Sequence, residues 1–98
     1  MKVIADLCVV PLGTGISVSS YVAEAEKILK TRGLCPRLHA YGTNLEGEWD
    51  EVMDAIREIH ERLHQMGVPR ITSNMRFGTR TDREQTGEEK IRSVEEKM

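Results

Sequence analysis

The segment at residues 3–10, VIADLCVV, constrains this chain more than any other. It is apolar at odd and even positions alike, with one charge, at Asp6. Such a run fits a central strand buried on both faces. Pro11 is expected to end it, and Gly13-Thr14-Gly15 reads as a flexible loop.

The segment at 17–32 then changes period. Val18, Val22, Ala25 and Leu29 recur at helical spacing, with Tyr21 and Ile28 beside them. Ser17, Ser19 and Ser20 are each suited to cap its start. Gly33 is the expected residue just past its end, with Lys30 and Arg32 in the last turn. Residues 36–42 and 44–48 read as a short hairpin broken near Tyr41-Gly42-Thr43-Asn44, with Leu38, Ala40 and Leu45 to one side.

Residues 49–66 read as a second helix. Trp49, Val52, Met53, Ile56, Ile59 and Leu63 form its apolar stripe, and Asp50 and Glu51 suit its first turn. Gly67 and Pro69 stop it. Residues 70–78 alternate, with Ile71, Ser73, Met75 and Phe77 on one face and Thr72, Asn74 and Arg76 on the other. After Gly78 the chain becomes strongly charged. Ile91, Val94 and Met98 form a thin helical stripe there, enough to dock on a neighbour.

The order is thus β-α-β-β-α-β plus a C-terminal helix. It predicts an α+β, ferredoxin-like fold, a four-stranded antiparallel sheet with two helices on one face. A chain of 98 residues has room for one such domain, spanning 1–98, with 79–98 as a charged oligomer contact. The other sheet face is then uncovered within a monomer and would expose Ile4, Cys8 and Val10. Apolar surface of that kind marks an interface, so a homo-oligomer is expected.

Charge narrows the function classes. Fourteen basic and sixteen acidic residues are interspersed, for a net charge of −2. That argues against a nucleic-acid partner, which calls for a basic excess or stripe. No apolar run approaches the roughly 20 residues that span a bilayer. Met1-Lys2 leads straight into the strand-like segment with no cleavage pattern, so a cytoplasmic protein without a membrane partner is expected. Two cysteines, Cys8 and Cys35, are too few for a disulfide scaffold or a four-thiolate zinc site. Cys8 fits as a small hydrophobe within its strand.

Three constellations could carry chemistry. His60-Glu61-Arg62-Leu63-His64 matches H-E-x-x-H, in which two His one turn apart clamp zinc and the Glu serves as base. A third ligand is missing, because His39, the only other His, lies upstream on a strand. The plain alternative is two partly exposed His on a helix rich in Glu and Arg. Gly13-x-Gly15 has Val18 where a dinucleotide loop has its third glycine, and no Lys-Ser or Lys-Thr pair follows. Thr14, Ser17, Ser19 and Ser20 there could bind a polar or anionic ligand at the helix start, or simply cap it. Asp6 shares a face with Ile4 and Cys8. On an open sheet face it could hold a cation or a ligand amino group, or pair with Arg76 or Arg80 across subunits. No Ser-His-Asp or Cys-His arrangement stands out.

Four segments together resemble a known family: A-D-L-C-V-V-P-L-G-T-G, S-V-S-S-Y-V, Y-G-T-N-L-E-G-E-W, and R-T-D-R-E followed by E-E-K-I-R-S-V. In this order and spacing they are similar to the thiamine-binding protein family over essentially the whole chain. The resemblance implies a ferredoxin-like homotetramer that holds thiamine or its hydroxymethylpyrimidine moiety, without catalysis and without a cofactor. Carried over by motif, it implies ligand contacts from Ser17, Ser19 and Tyr21 at the first helix and from Gly42, Thr43 and Glu46 around the hairpin. Arg80 and Asp82 match the family's basic-acidic pair. The chain departs from the pattern at Asn44, where an aliphatic residue is typical, and at Gly78-Thr79, where an acidic residue is frequent.

Thiamine carries a thiazolium cation and an aminopyrimidine. A site for it needs a carboxylate, hydroxyl or backbone groups, and an aromatic or apolar face. Asp6, Glu46, Thr43, Ser19 and either Tyr21 or Trp49 could supply these. The expected function is therefore a non-enzymatic small-molecule binding protein acting as a tetramer. The alternatives are a structural or regulatory oligomer with another ligand or none, and a zinc-dependent hydrolase built on His60, Glu61 and His64.

Overall fold

The apolar run at 3–10 is the core of a central strand, β1 (Lys2–Leu12). The computed structural model describes all residues, Met1–Met98. After β1 come α1 (Ser19–Thr31), β2 (Arg37–His39), β3 (Gly42–Glu48), α2 (Trp49–Gln65), β4 (Arg70–Gly78) and α3 (Gly87–Glu95). The sheet order is β2-β3-β1-β4, and every neighbouring pair is antiparallel. This is the ferredoxin-like arrangement with one added helix.

Alternation along β1 decides which face is which. Val3, Ala5 and Leu7 are buried and join Leu29, Ile59 and Leu63 of the helices in one aliphatic core of 12 residues. Ile4, Asp6 and Cys8 therefore lie on the other face. Register places Asp6 between Asn44 of β3 and Arg76 of β4, and Ile4 beside Glu46.

Both helices end by the same device. In α1 the Leu34 N–H donates to the Leu29 carbonyl and the Gly33 N–H to that of Lys30, both at 3.0 Å. In α2, Val68 donates to Leu63 at 3.1 Å and Gly67 to His64 at 3.0 Å. These are Schellman caps, which need a left-handed residue at the turn. Gly33 (φ 73°) and Gly67 (φ 97°) supply it. Leu34 and Val68 are thereby folded back into the core, each 2% exposed.

Four local expectations need correction. Pro11 does not end β1, because the strand continues to Leu12 with Pro11 opposite Ile71. Pairing with β3 stops at Leu7 and Thr43, so one edge of β1 is free beyond that point and tolerates a proline. Helix α1 starts at Ser19, after Val18, and no serine side chain caps it. Its start is set instead by the Val18 carbonyl, which accepts from Tyr21 and Val22 at 3.1 and 3.0 Å. The hairpin turns at Ala40 and Tyr41, leaving β2 three residues long and Gly42 inside β3. Finally, the second sheet face is not bare. Helix α3 starts against it, where the Gly87 N–H donates to Glu46 Oε2 at 2.6 Å.

Candidate functional site

The early end of the β1–β3 ladder creates the site. Beyond Leu7, β1 pairs with β4 alone. The space beside its free edge is closed by one side of α1 and by the hairpin end at residues 38–43, around a cavity of about 290 Å³. Val9, Val18, Val22, Leu29 and Leu38 make it largely apolar.

Its polar groups are few and placed. Thr43, 6% exposed, donates its hydroxyl to Glu26 Oε1. Glu26 is half-buried on α1, and its second oxygen has no partner within the chain. At the lip, His39 Nδ1 accepts from the Tyr41 N–H at 3.3 Å, which leaves Nε2 as the donor to Asp6 Oδ1 at 2.8 Å. That pair ties the hairpin to the central strand. Gly42 sits where no side chain fits, because an added Cβ would lie 2.8 Å from the Leu7 carbonyl oxygen. Tyr41 stands at the lip, 88% exposed.

The residues singled out from sequence fall in separate places. Gly42 and Thr43 line the cavity. Asp6 is on the opposite sheet face and reaches the lip only through His39. Glu46 faces the same way, with its carboxylate held by the Gly87 N–H and by Lys2 at 3.8 Å. Ser17 and Ser19 are exposed and flank Val18, which lines the cavity. Tyr21 packs on the core, and Trp49 meets Phe77 edge-on at 5.3 Å, away from the cavity.

Glu26 is the residue that sequence reasoning missed. It follows Val22 by four and precedes Leu29 by three, so it interrupts the apolar stripe of α1 with a charge. That interruption was the available signal.

The remaining candidates are structurally engaged. Arg80 grips Asp82 with two nitrogens, at 2.7 and 2.5 Å, and reaches Gln85 at 2.8 Å. Those hydrogen bonds hold the Asp82 carboxyl down at about 2. His60 Nε2 meets Ser73 Oγ at 2.7 Å, and His64 Nδ1 donates to the Val68 carbonyl at 2.8 Å. Burial, and then the nearby His64, lower the His60 pKa. No cluster of three or more His, Cys, Asp and Glu gathers at metal-holding distance. No helix is long and apolar enough to cross a membrane.

Comparison with known proteins adds an independent line. A family model described as thiamine-binding protein matches residues 5–95. A UPF0045 protein of Synechocystis sp. is 62% identical over 95 residues, 97% of this chain and 78% of its own. A Bacillus subtilis UPF0045 protein is 40% identical, covering 93% of this chain and 92% of its own. Among solved structures, a hypothetical protein of Methanocaldococcus jannaschii matches with a TM-score of 0.88 at 38% identity, over 97% of both chains. A Thermotoga maritima protein whose name refers to thiamine biosynthesis/salvage matches at 0.81 with 23% identity, over 96% of this chain and 99% of that one. At that identity the likeness speaks for the fold alone.

Proposed function

The chain belongs to the thiamine-binding protein family, and on that premise we propose that it is a non-enzymatic binding protein for thiamine or its hydroxymethylpyrimidine moiety, working as a homotetramer. One observation carries the choice of site. A carboxylate with a free oxygen, Glu26, stands in a largely apolar cavity. Charge in such surroundings is costly without a counterpart. An aminopyrimidine offers an amino donor to that oxygen, and a thiazolium offers a cation. The volume of about 290 Å³ falls just short of the roughly 300–1,000 Å³ usual for ligand pockets, which suits one or two small rings.

The other residues take roles around this centre. Thr43 fixes the Glu26 carboxylate, and Gly42 lets the hairpin approach β1. Asp6 acts through His39 to hold the lip. Tyr41 provides an aromatic face that can close over a cationic ring. Ser17 and Ser19 border the entrance beside Val18, Tyr21 seats α1 on the core, and Glu46 seats α3. Assembly into the tetramer uses the second sheet face and α3, where Val10, Ile91, Val94 and Met98 are exposed. Both cysteines are free, which suits a reducing compartment, and we assign the protein to the cytoplasm.

Calorimetry of the wild type and Glu26→Gln with thiamine and with hydroxymethylpyrimidine tests this reading. Saturable heat is expected in the wild type. A charge-assisted hydrogen bond contributes about 1.5–3 kcal/mol, so Glu26→Gln should bind about tenfold more weakly or worse. No heat at millimolar ligand, or equal affinity in the variant, overturns it.

A further inference from the structure

The segment joining β4 to α3 borders a hollow of its own. Together with Lys2 and Ile4 of β1 and Lys90 of α3 it encloses a second cavity, of about 510 Å³. This cavity shares no residue with the one beside α1. Only two of its 11 lining residues are hydrophobic, which sets it apart from an apolar contact between subunits.

Its lining holds more cations than carboxylates. Lys2, Arg80, Arg83 and Lys90 face Glu48 and Glu84, in a chain whose net charge is −2. Two of the four cations are already engaged. Arg80 is spent on Asp82 and Gln85, and Lys2 lies 3.8 Å from Glu46. Arg83 and Lys90 make no ion pair and no side-chain hydrogen bond within the chain.

The frame around those two is firm. The Arg80 fork braces the start of the loop. Thr86 Oγ1 accepts from the Glu89 N–H at 3.1 Å and caps α3. The Gly87 N–H, 2.6 Å from Glu46 Oε2, pins the helix start to β3. The backbone that carries Arg83 and Lys90 is thus held in place, and an anion would supply the partner that these two cations lack within the chain. The volume exceeds what a bare phosphate needs and falls within the ordinary range for an organic ligand.

We propose that this cavity is a second ligand site, for a small organic phosphate, with Arg83 and Lys90 as its charged contacts. It does not rest on the thiamine reading. None of the residues around the first cavity is Lys or Arg, so the two sites select opposite charges.

The test is an amide-resolved NMR titration of the assembled protein with pyrophosphate and inorganic phosphate, and with sodium chloride at matched ionic strength as control. Saturable shifts at residues 79–90 are expected with both phosphates, stronger with pyrophosphate and absent with chloride. Arg83→Ala and Lys90→Ala should each weaken binding about tenfold or more, since each removes a charge-assisted contact. Both side chains are exposed and unpaired, so the fold should tolerate the changes. Arg57→Ala, on α2, should bind like the wild type, and thiamine heats should be equal in all three variants. Shifts that fail to saturate, that chloride reproduces, or that survive in the Arg83→Ala/Lys90→Ala double variant overturn the proposal.

Discussion

Replacing Gly42 by alanine should damage both the fold and the first cavity, for a reason of space alone. Gly42 does not have a positive φ, so its backbone suits any residue. An added Cβ would lie 2.8 Å from the Leu7 carbonyl oxygen, 3.1 Å from Asp6 Oδ1 and 3.3 Å from His39 Cε1. The two side chains can give way, but the carbonyl belongs to the central strand and cannot. The hairpin must therefore retreat from β1. Overpacking of this kind costs about 1–3 kcal/mol. Taking 2 kcal/mol, the midpoint of thermal unfolding should fall by about 10 °C in a domain of this size. The retreat also draws Thr43 away from Glu26 and opens the lip at His39. Circular dichroism melts at one fixed protein concentration read the first effect, since the proposed assembly would make the midpoint concentration-dependent. Thiamine calorimetry reads the second. Asp6→Ala should rescue little, because it relieves the 3.1 Å contact and leaves the 2.8 Å one. A Gly42→Ala protein that melts within about 2 °C of the wild type would refute the steric reasoning.

Three further outcomes are expected. Thiamine diphosphate should displace bound thiamine no better than thiamine itself does, because no Lys or Arg surrounds the Glu26 cavity; a tighter diphosphate would place the site elsewhere. His60 has a pKa below its ordinary 6.5, owing first to burial and then to His64. The unfolded chain therefore takes up that proton more readily, and stability should fall as pH drops from 6.5 through the lower folded value. Urea midpoints across that window read the loss, and a His60→Gln protein with an unchanged slope contradicts it. Ile91, 48% exposed on α3, should become intolerant of charge within a tetramer, so Ile91→Asp is expected to elute as a smaller species on a sizing column. An unchanged elution volume would remove α3 from the interface.

The frame of the fold was legible because it rests on periodicity. The stripe of α2 and the glycines at 33 and 67 determine packing and helix ends almost by themselves. Local turn chemistry was less reliable. Gly42 looked like a turn residue, yet it serves a close approach between strands, which a single sequence does not reveal. The serines before α1 look like caps, but the Val18 carbonyl, which accepts from Tyr21 and Val22, sets that helix start. The site was the least legible part. Asp6 and Glu46 stand out as carboxylates on their strands, yet both are tied within the chain, to His39 and to Gly87. The free carboxylate sits on a helix, at Glu26, where charge is usually a matter of solvation. Only the ladder's end at Thr43 shows that this face of α1 borders a hollow.

The most direct test follows backbone amides of the assembled protein during a thiamine titration. Saturable shifts clustered at Val22, Glu26 and residues 38–43, with the Glu26→Gln protein unresponsive, are expected. Shifts confined to residues 79–90, or scattered over the second sheet face, would contradict a binding site between α1 and the hairpin.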